Sequence, residues 1–306
     1  MEHSKTYKTL VILAGGLGSR YKGLKQTDAL WTSGETLLEF SIFDAILAGF
    51  NKFVLIVNPH IAKDYFTRLE QIGIKKNVEM HFVPQEMDGF VSEKYIGLAK
   101  ERSKPWGTAH AVLTAKSVVN ESFVVINADD FYGRTSYIRI MESMSADTIK
   151  NDSYEMIAFP VNATLSENGP VSRGVCRVDD AYNLIEVVEH THIQRQGSEI
   201  ISETAAGTEI LNEKDLVSMN FWCFHPSVFD FLQDQFLRYL QEGADLKSEF
   251  YIPEAIQNMI NDHYIKVEVH QSNSQWMGLT YPEDKDVLKV FLSGEIKKGN
   301  YPAQLW

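Results

Sequence analysis

The residues best suited to chemistry form a glycine turn near the start of the chain, Gly15-Gly16-Leu17-Gly18-Ser19-Arg20, with Lys22 and Lys25 just beyond it. Such a turn bares backbone N–H groups, and glycine lets a chain of phosphates approach them closely. Arg20 can fork onto phosphate oxygens, and Lys25 can act as a point charge. The turn matches neither of two common phosphate loops. A G-x-G-x-x-G fingerprint needs a third glycine where Tyr21 stands, and a P-loop needs lysine where Leu24 follows Gly23. A plain strand-to-helix turn would explain one glycine, or two, but not Gly15, Gly16 and Gly18 together with three cations. Two more polar groups follow apolar runs in the same way: Gln85, and Asn127-Ala128-Asp129-Asp130.

The elements that position these groups read as an α/β layering. Thr9 to Ala14, Phe53 to Val57, Met80 to Val83 and Phe123 to Ile126 are short apolar runs, as expected of strands buried on both faces. Between them, Thr36-Leu37-Leu38-Glu39 reads as a capping box, with Leu38, Ile42, Ala45 and Ile46 at helical spacing behind it. Asn58-Pro59 reads as the start of a second helix carrying Ile61, Tyr65 and Leu69. This alternation predicts a Rossmann-like, mostly parallel sheet flanked by helices. Ligands of such sheets sit at the carboxyl ends of the strands, so the three polar groups should converge on one crevice.

The second half changes character and predicts an inserted, β-rich unit. Tyr154 to Val161 alternates like a strand, and Gly174 to Glu189 reads as a hairpin turning at Asp179 to Asn183. Residues 194–214 are polar without period and read as an exposed loop. Val217 to Phe224 is a further strand, Pro226 and Pro253 open helices, Ile265 to Val269 is a late strand and Asp284 to Phe291 a late helix. No repeat or linker divides the chain. The expectation is one domain over 1–306, with a nucleotide half over about 1–133 and an acceptor half over about 134–306.

Composition narrows the classes. The hydrophobic fraction is 44% and the charged fraction 23%, which is ordinary for a globular chain. Net charge is -12, from 41 acidic and 29 basic residues, which argues against nucleic acid as a partner. Cys176 and Cys223 are too few for a disulfide framework or a four-thiolate zinc site and read as core thiols. No apolar run is long enough to span a bilayer, and no signal-peptide pattern opens the chain, so the expected setting is cytoplasmic, without a membrane partner. Nothing in the sequence sets an oligomeric state.

Leu13-Ala14-Gly15-Gly16-Leu17-Gly18-Ser19-Arg20, followed by Gly23-Leu24-Lys25-Gln26, resembles the opening motif of the sugar-1-phosphate nucleotidyltransferases. Further matches follow in order: Lys104-Pro105-Trp106-Gly107-Thr108-Ala109-His110-Ala111, Asn127 to Gly133, Val187-Val188-Glu189 and Val217 to Trp222. The resemblance implies transfer of a nucleotidyl group from a nucleoside triphosphate, UTP or dTTP favoured, to a sugar 1-phosphate, with release of pyrophosphate. It implies Arg20 on the leaving pyrophosphate, Lys25 on the reacting phosphates, and Ala14, Gly15, Gly16 and Gly18 around the nucleotide. Gln85 falls where a side-chain amide reads the base edge, or is a solvated loop residue, and Gly107 would add a backbone contact to the base. Asp129 is implied as a catalytic residue and the Mg2+ ligand, with Asp130 as its structural or water-shell partner; a turn with capping duty is the alternative for the pair. Glu189 and Asn220 would take sugar hydroxyls and His190 the sugar phosphate, unless His190 is a neutral donor to a sugar hydroxyl or a spectator at the end of its strand; Lys247, otherwise a solvated surface lysine, is a weaker candidate for the phosphate.

Three departures from the family pattern matter. His190 stands where many members carry lysine, and a histidine is cationic only part of the time near neutrality. Trp276-Met277-Gly278-Leu279-Thr280 has glycine where many members place a second metal-binding aspartate, so that carboxylate is missing or comes from elsewhere, such as Asp284. Met87 to Arg102 is an insertion, expected to form a lid or a partner surface over the base. Rival readings are transfer to a non-sugar acceptor such as phosphocholine or a polyol phosphate, and a catalytically silent nucleotide-sensing subunit.

Overall fold

The computed structural model describes residues 6–16, 29–31, 33–59, 63–204 and 207–306, so Gly18, Arg20 and Lys25 lie outside the described residues. The first half runs β1 (Thr9–Ala14), α1 (Leu37–Ala48), β2 (Lys52–Val57), α2 (Lys63–Lys76), β3 (Glu79–Pro84), α3 (Ile96–Glu101), α4 (Thr108–Thr114), β4 (Phe123–Asn127), β5 (Asp130–Phe131) and α5 (Arg134–Ala146). The second half runs β6 (Ser153–Pro160), β7 (Val171–Val178), β8 (Leu184–Gln196), β9 (Glu199–Thr204), β10 (Gly207–Leu211), β11 (Leu216–Phe224), α6 (Val228–Gln241), α7 (Ile252–Asn261), β12 (Lys266–Gln271), β13 (Met277–Gly278) and α8 (Asp284–Lys297).

Eleven strands join in one sheet, ordered β10-β9-β8-β7-β11-β4-β1-β2-β3, with β6 on β11 and β12 on β6. The first half supplies the parallel core, in which β1 pairs with β2 and β4, and β2 with β3. β11 joins β4 antiparallel and carries the second half, whose β7 to β10 extend the sheet as antiparallel neighbours. The unbroken apolar run of β1 follows from burial on both faces. Val11 and Leu13 share one core with Trp106, Trp222 and Phe236, while Leu10 and Ile12 share the other with Tyr132, Tyr137 and Phe221. The capping box of α1 forms as expected, with the Thr36 N–H donating to Glu39 Oε2 at 2.8 Å and the Glu39 N–H to Thr36 Oγ1 at 3.4 Å.

The expected loop over 194–214 is instead the end of β8 and the β9–β10 hairpin. Four of the five β10 residues are exposed, so few apolar side chains mark this edge and no alternation announces it. The helix expected from Pro226 begins at Val228, and the last helix continues past Phe291 to Lys297.

The 86–104 insertion is built into the molecule rather than hung from it. It carries α3, and the Trp106 indole donates to the Met87 carbonyl at 2.7 Å. The Arg102 guanidinium, 3.8 Å above the Trp106 ring, donates to the carbonyls of Lys104, Pro105, Ser248 and Asp245. A planar fork suits this task in a way that ammonium does not. Arg102→Met keeps the stem and removes those donors. It is expected to cost about 2–4 kcal/mol in denaturant unfolding, with faster hydrogen exchange at 86–104 and 243–250; unchanged exchange in both segments would contradict the role given to Arg102.

Candidate functional site

Two cavities open beyond the carboxyl ends of the parallel strands, with the Gly15-Gly16 turn after β1 between them in strand order. The first encloses about 500 Å³ between the ends of β1, β2 and β3 and the insertion. Gly15, Asn58 and Gln85 line it from the strand side, and Met87, Ala99 and Lys100 from the insertion. The insertion expected to cover the base is thus one wall of this cavity.

Gln85 is buried, 6% exposed. Its Nε2 donates to the Gly107 carbonyl and to His110 Nδ1, both at 3.2 Å. A Cβ on Gly15 would come within 2.9 Å of Gln85 Oε1, so glycine is what lets the turn pass beside the amide. Gly107, with φ +109°, is confined by Phe250, whose carbonyl oxygen would lie 2.5 Å from any Cβ there. Gly107 does not line the cavity, and its carbonyl serves Gln85 instead of meeting a base directly. Ala14 is buried at the end of β1, whereas a Cβ on Gly16 would meet nothing within 4 Å. Among the described residues, no packing demand explains glycine at position 16.

The second cavity, about 200 Å³, lies off β4, β7, β8 and β11 and is rich in oxygen. Asp129, Asp130, Glu189, Asn220 and Thr280 line it, with Arg173 as a cation among them. Asn127 organises one side. Its Nδ2 donates to Asp130 Oδ2 at 2.8 Å, and its Oδ1 accepts from Asn220 Nδ2 at 3.2 Å. Asn220 reaches in because β11 breaks register between Ser218 and Phe221, with Asn220 at φ +59°, a conformation asparagine tolerates better than most residues. Burial, reinforced by the charge of Asp129, pushes the Asp130 carboxyl up to about 7. Glu189 is likewise raised to about 7 by burial, with Arg173 pulling the other way and Glu249 adding to the rise.

Several expectations change here. The two faces of β8 alternate, so with Glu189 in the cavity His190 turns away and is buried against Ser202 Oγ, 2.6 Å from its Nδ1. Lys247 is exposed in the loop before Phe250 and is not brought to the cavity either. The cation that does reach it is Arg173, which sequence reading missed. An arginine in the inward phase of a half-buried strand, directly before Gly174, was the available signal. Its guanidinium lies 4.8 Å over the Trp276 ring and donates to the carbonyls of Thr164 and Ser172. Asp284 does not supply a second carboxylate. Its oxygens accept from the Thr280 and Tyr281 N–H groups, Ser166 and Asn168 at the start of α8. Nor can Gly278 carry a side chain as it stands, since a Cβ there would lie 2.5 Å from the Trp276 ring and 2.7 Å from Asp130 Oδ1. The space at that position belongs to the Asp130 carboxylate, held opposite by the β5–β13 pairing.

A separate group of ligand types, Glu155, Glu268 and His270, gathers on β6 and β12. Glu155 is engaged there by His270 at 2.7 Å and by Thr148 at 2.6 Å, which accounts for the group as a structural hydrogen-bond cluster joining β6 to β12.

Residues 9–281 match the model of a family described as nucleotidyl transferase. A search of curated proteins by sequence returns no match. Among solved structures, the chain is similar to the inositol-1-phosphate CTP transferase from T. maritima, with 15% identity, a TM-score of 0.59 and 94% of this chain and 96% of that one covered. It is also similar to a protein from Bacillus anthracis described as a glucose-1-phosphate thymidylyltransferase and solved with sucrose, with 13% identity, a TM-score of 0.61 and 94% and 95% covered. At these identities the likeness is one of fold. Among the described residues, no helix is long and apolar enough to cross a membrane.

The raised Glu189 carboxyl has a consequence for stability. Between its unfolded value near 4.5 and about 7 the folded chain keeps a proton that the unfolded chain has lost, so stability falls as pH rises through that window. Glu189→Gln removes the cost. In chelator-containing buffer the variant should lie close to the wild type near pH 5 and melt about 5–10 °C higher at pH 8, equivalent to about 3 kcal/mol. Equal melting temperatures at both pH values would contradict the burial of this carboxyl.

Proposed function

The chain belongs to the nucleotidyl transferase family, and from that premise we propose that it transfers a nucleotidyl group from UTP or dTTP to a sugar 1-phosphate, forming an NDP-sugar and pyrophosphate. The observation that carries this reading is the pairing of two unlike cavities at one sheet edge, a roomy one ending on the Gln85 amide and an oxygen-rich one holding Asp129, Asp130 and Arg173. A base and a sugar phosphate have those two chemistries, and the glycine turn lies between them in strand order.

A phosphate oxygen of the sugar phosphate attacks the α-phosphorus in line, and the bond from that phosphorus to the bridging oxygen breaks as pyrophosphate leaves. Little covalent work falls to the protein, so its contribution is positioning and charge. The backbone of Ala14, Gly15, Gly16 and Gly18 wraps the nucleotide, Lys25 holds the reacting phosphates and Arg20 the leaving pyrophosphate. Gln85 reads the base, backed by Gly107. Glu189 and Asn220 take acceptor hydroxyls, and Arg173 replaces His190 and Lys247 as the cation for the acceptor phosphate. Asp129 and Asp130 fit a magnesium ion by chemistry, since they are adjacent carboxylates among amide and hydroxyl oxygens, with neither histidine nor cysteine among the described lining residues. Asp130 is then the second carboxylate that the glycine at 278 withholds. A bound divalent cation supplies charge that offsets the two acids and the triphosphate together.

A second reading keeps the transfer and changes the acceptor. A cyclitol or polyol phosphate, of the kind named for the T. maritima protein, offers the same hydroxyls and phosphate to Glu189, Asn220 and Arg173. Phosphocholine fits less well, because Arg173 covers the Trp276 face that would receive a quaternary ammonium.

Pyrophosphate release from a matrix of nucleoside triphosphates against sugar and cyclitol phosphates tests the reading. UTP or dTTP with one sugar 1-phosphate should stand out, and an empty matrix would overturn the proposal. Lys25→Ala should lower turnover at least about 100-fold in a folded protein, the scale of a lost transition-state charge contact. Asp129→Asn should raise the magnesium requirement sharply, and a chelator should abolish turnover in the wild type. Activity that survives chelation would remove the metal.

A further inference from the structure

His110 lies on α4 behind the wall of the larger cavity, fully buried and outside the lining. Its Nε2 is 2.9 Å from the Gly89 carbonyl oxygen. A carbonyl only accepts, so Nε2 carries the proton. Burial lowers the imidazole to about 4, so the ring is neutral near physiological pH and Nδ1 presents a lone pair. That lone pair faces Gln85 Nε2 at 3.2 Å, and the Gly107 carbonyl faces the same nitrogen at 3.2 Å. Both amide hydrogens are therefore taken by acceptors inside the protein. Flipping the amide would set Oε1 against a carbonyl oxygen and a lone pair, a costly arrangement in a buried site.

A free glutamine is ambidextrous and can meet either a donor or an acceptor on a base. Gln85 in this setting cannot. Its Oε1 is the end toward the Gly15 turn, and it accepts no hydrogen bond from any described residue. We propose that His110 is a positioning residue that fixes Gln85 as a pure hydrogen-bond acceptor and that its Oε1 meets the base at N3, so that the site selects a pyrimidine carrying N3–H, uracil or thymine, over cytosine, whose N3 is a lone pair. This rests on the larger cavity being the base site, and it supplies a physical reason for the choice among pyrimidines. The insertion takes part as well. Gly89 lies within it, so the 86–104 segment that walls the cavity also sets the proton on His110, and through it the orientation of the reading amide.

Removal of an acceptor leaves a buried donor unpaired and frees the amide to turn. His110→Phe should therefore relax the choice of base, and His110→Asn, whose Oδ1 can stand in for Nδ1 while losing Gly89, should restore part of it. The readout is the dissociation constant of UTP and of CTP, by calorimetry on the full chain without acceptor. Wild type should favour UTP at least about 10-fold, His110→Phe by less than about 3-fold and His110→Asn by an intermediate factor, as expected where a buried polar group is left unpaired by the wrong ligand. A purely structural His110 would weaken both nucleotides equally and leave the ratio unchanged, which overturns the proposal, as does a wild type that favours CTP. Long-range 1H–15N spectra of the wild type give a check that needs no variant to fold. A neutral ring protonated at Nε2 is expected, and an Nδ1–H tautomer would contradict the relay. Failure of the wild type to bind either nucleotide would instead overturn the reading of the cavity as a base site.

Discussion

A buried carboxyl beside a second carboxyl is the constraint around which one half of this molecule is arranged. Asp130 is 6% exposed and adjoins Asp129, so its charge has to be met from several directions. Asn127 donates to it, Arg173 faces it, and Gly278 gives up a side chain so that its Oδ1 has room. Met219 and Asn220 depart from regular strand geometry nearby, their positions tied to the same acid through the Tyr132 hydroxyl and Asn127. Such strain and burial concentrate where a ligand completes the balance, which in the proposed reaction would be a divalent cation with phosphates.

The other half solves a different problem, the placement of one amide. Gln85 follows β3 directly, so the parallel sheet fixes its backbone through the Val57 carbonyl. The side chain is then held from behind by α4 and the insertion, and the turn passes close only because residue 15 is glycine. The two halves meet through β1 and β4, where Leu13 pairs with Asn127 and accepts from the Ala128 N–H. The Gln85 amide after β3 and the acids after β4 are therefore held by one sheet, with β1 and β2 between them, an arrangement suited to positioning.

Much of the fold was legible because burial on both faces writes an unbroken apolar run, as in Leu10 to Ala14 and Phe53 to Val57. The capping box at Thr36 was legible because its hydrogen bonds are local. The β9–β10 hairpin was not, since an exposed edge needs little apolar sequence. On the site, Asp129, Glu189 and Asn220 line one cavity, while His190 is turned from it by strand parity, one residue being enough to send a side chain to the other face. Arg173 was hidden among other charged strand residues, and its place is set by contacts distant in sequence, the Trp276 ring and the Thr164 carbonyl. Asp284 looked like a spare carboxylate, but the start of α8 had already claimed it.

In the proposed reaction one site joins a nucleotidyl group to an acceptor phosphate. Phosphorus NMR of the purified protein with UTP, magnesium and the preferred sugar 1-phosphate tests it most directly. The α-phosphorus signal of UTP and the sugar-phosphate signal should vanish together into a coupled pair of diphosphate doublets, with pyrophosphate rising in equal amount. Release of inorganic phosphate, or loss of UTP with the sugar phosphate untouched, would contradict it.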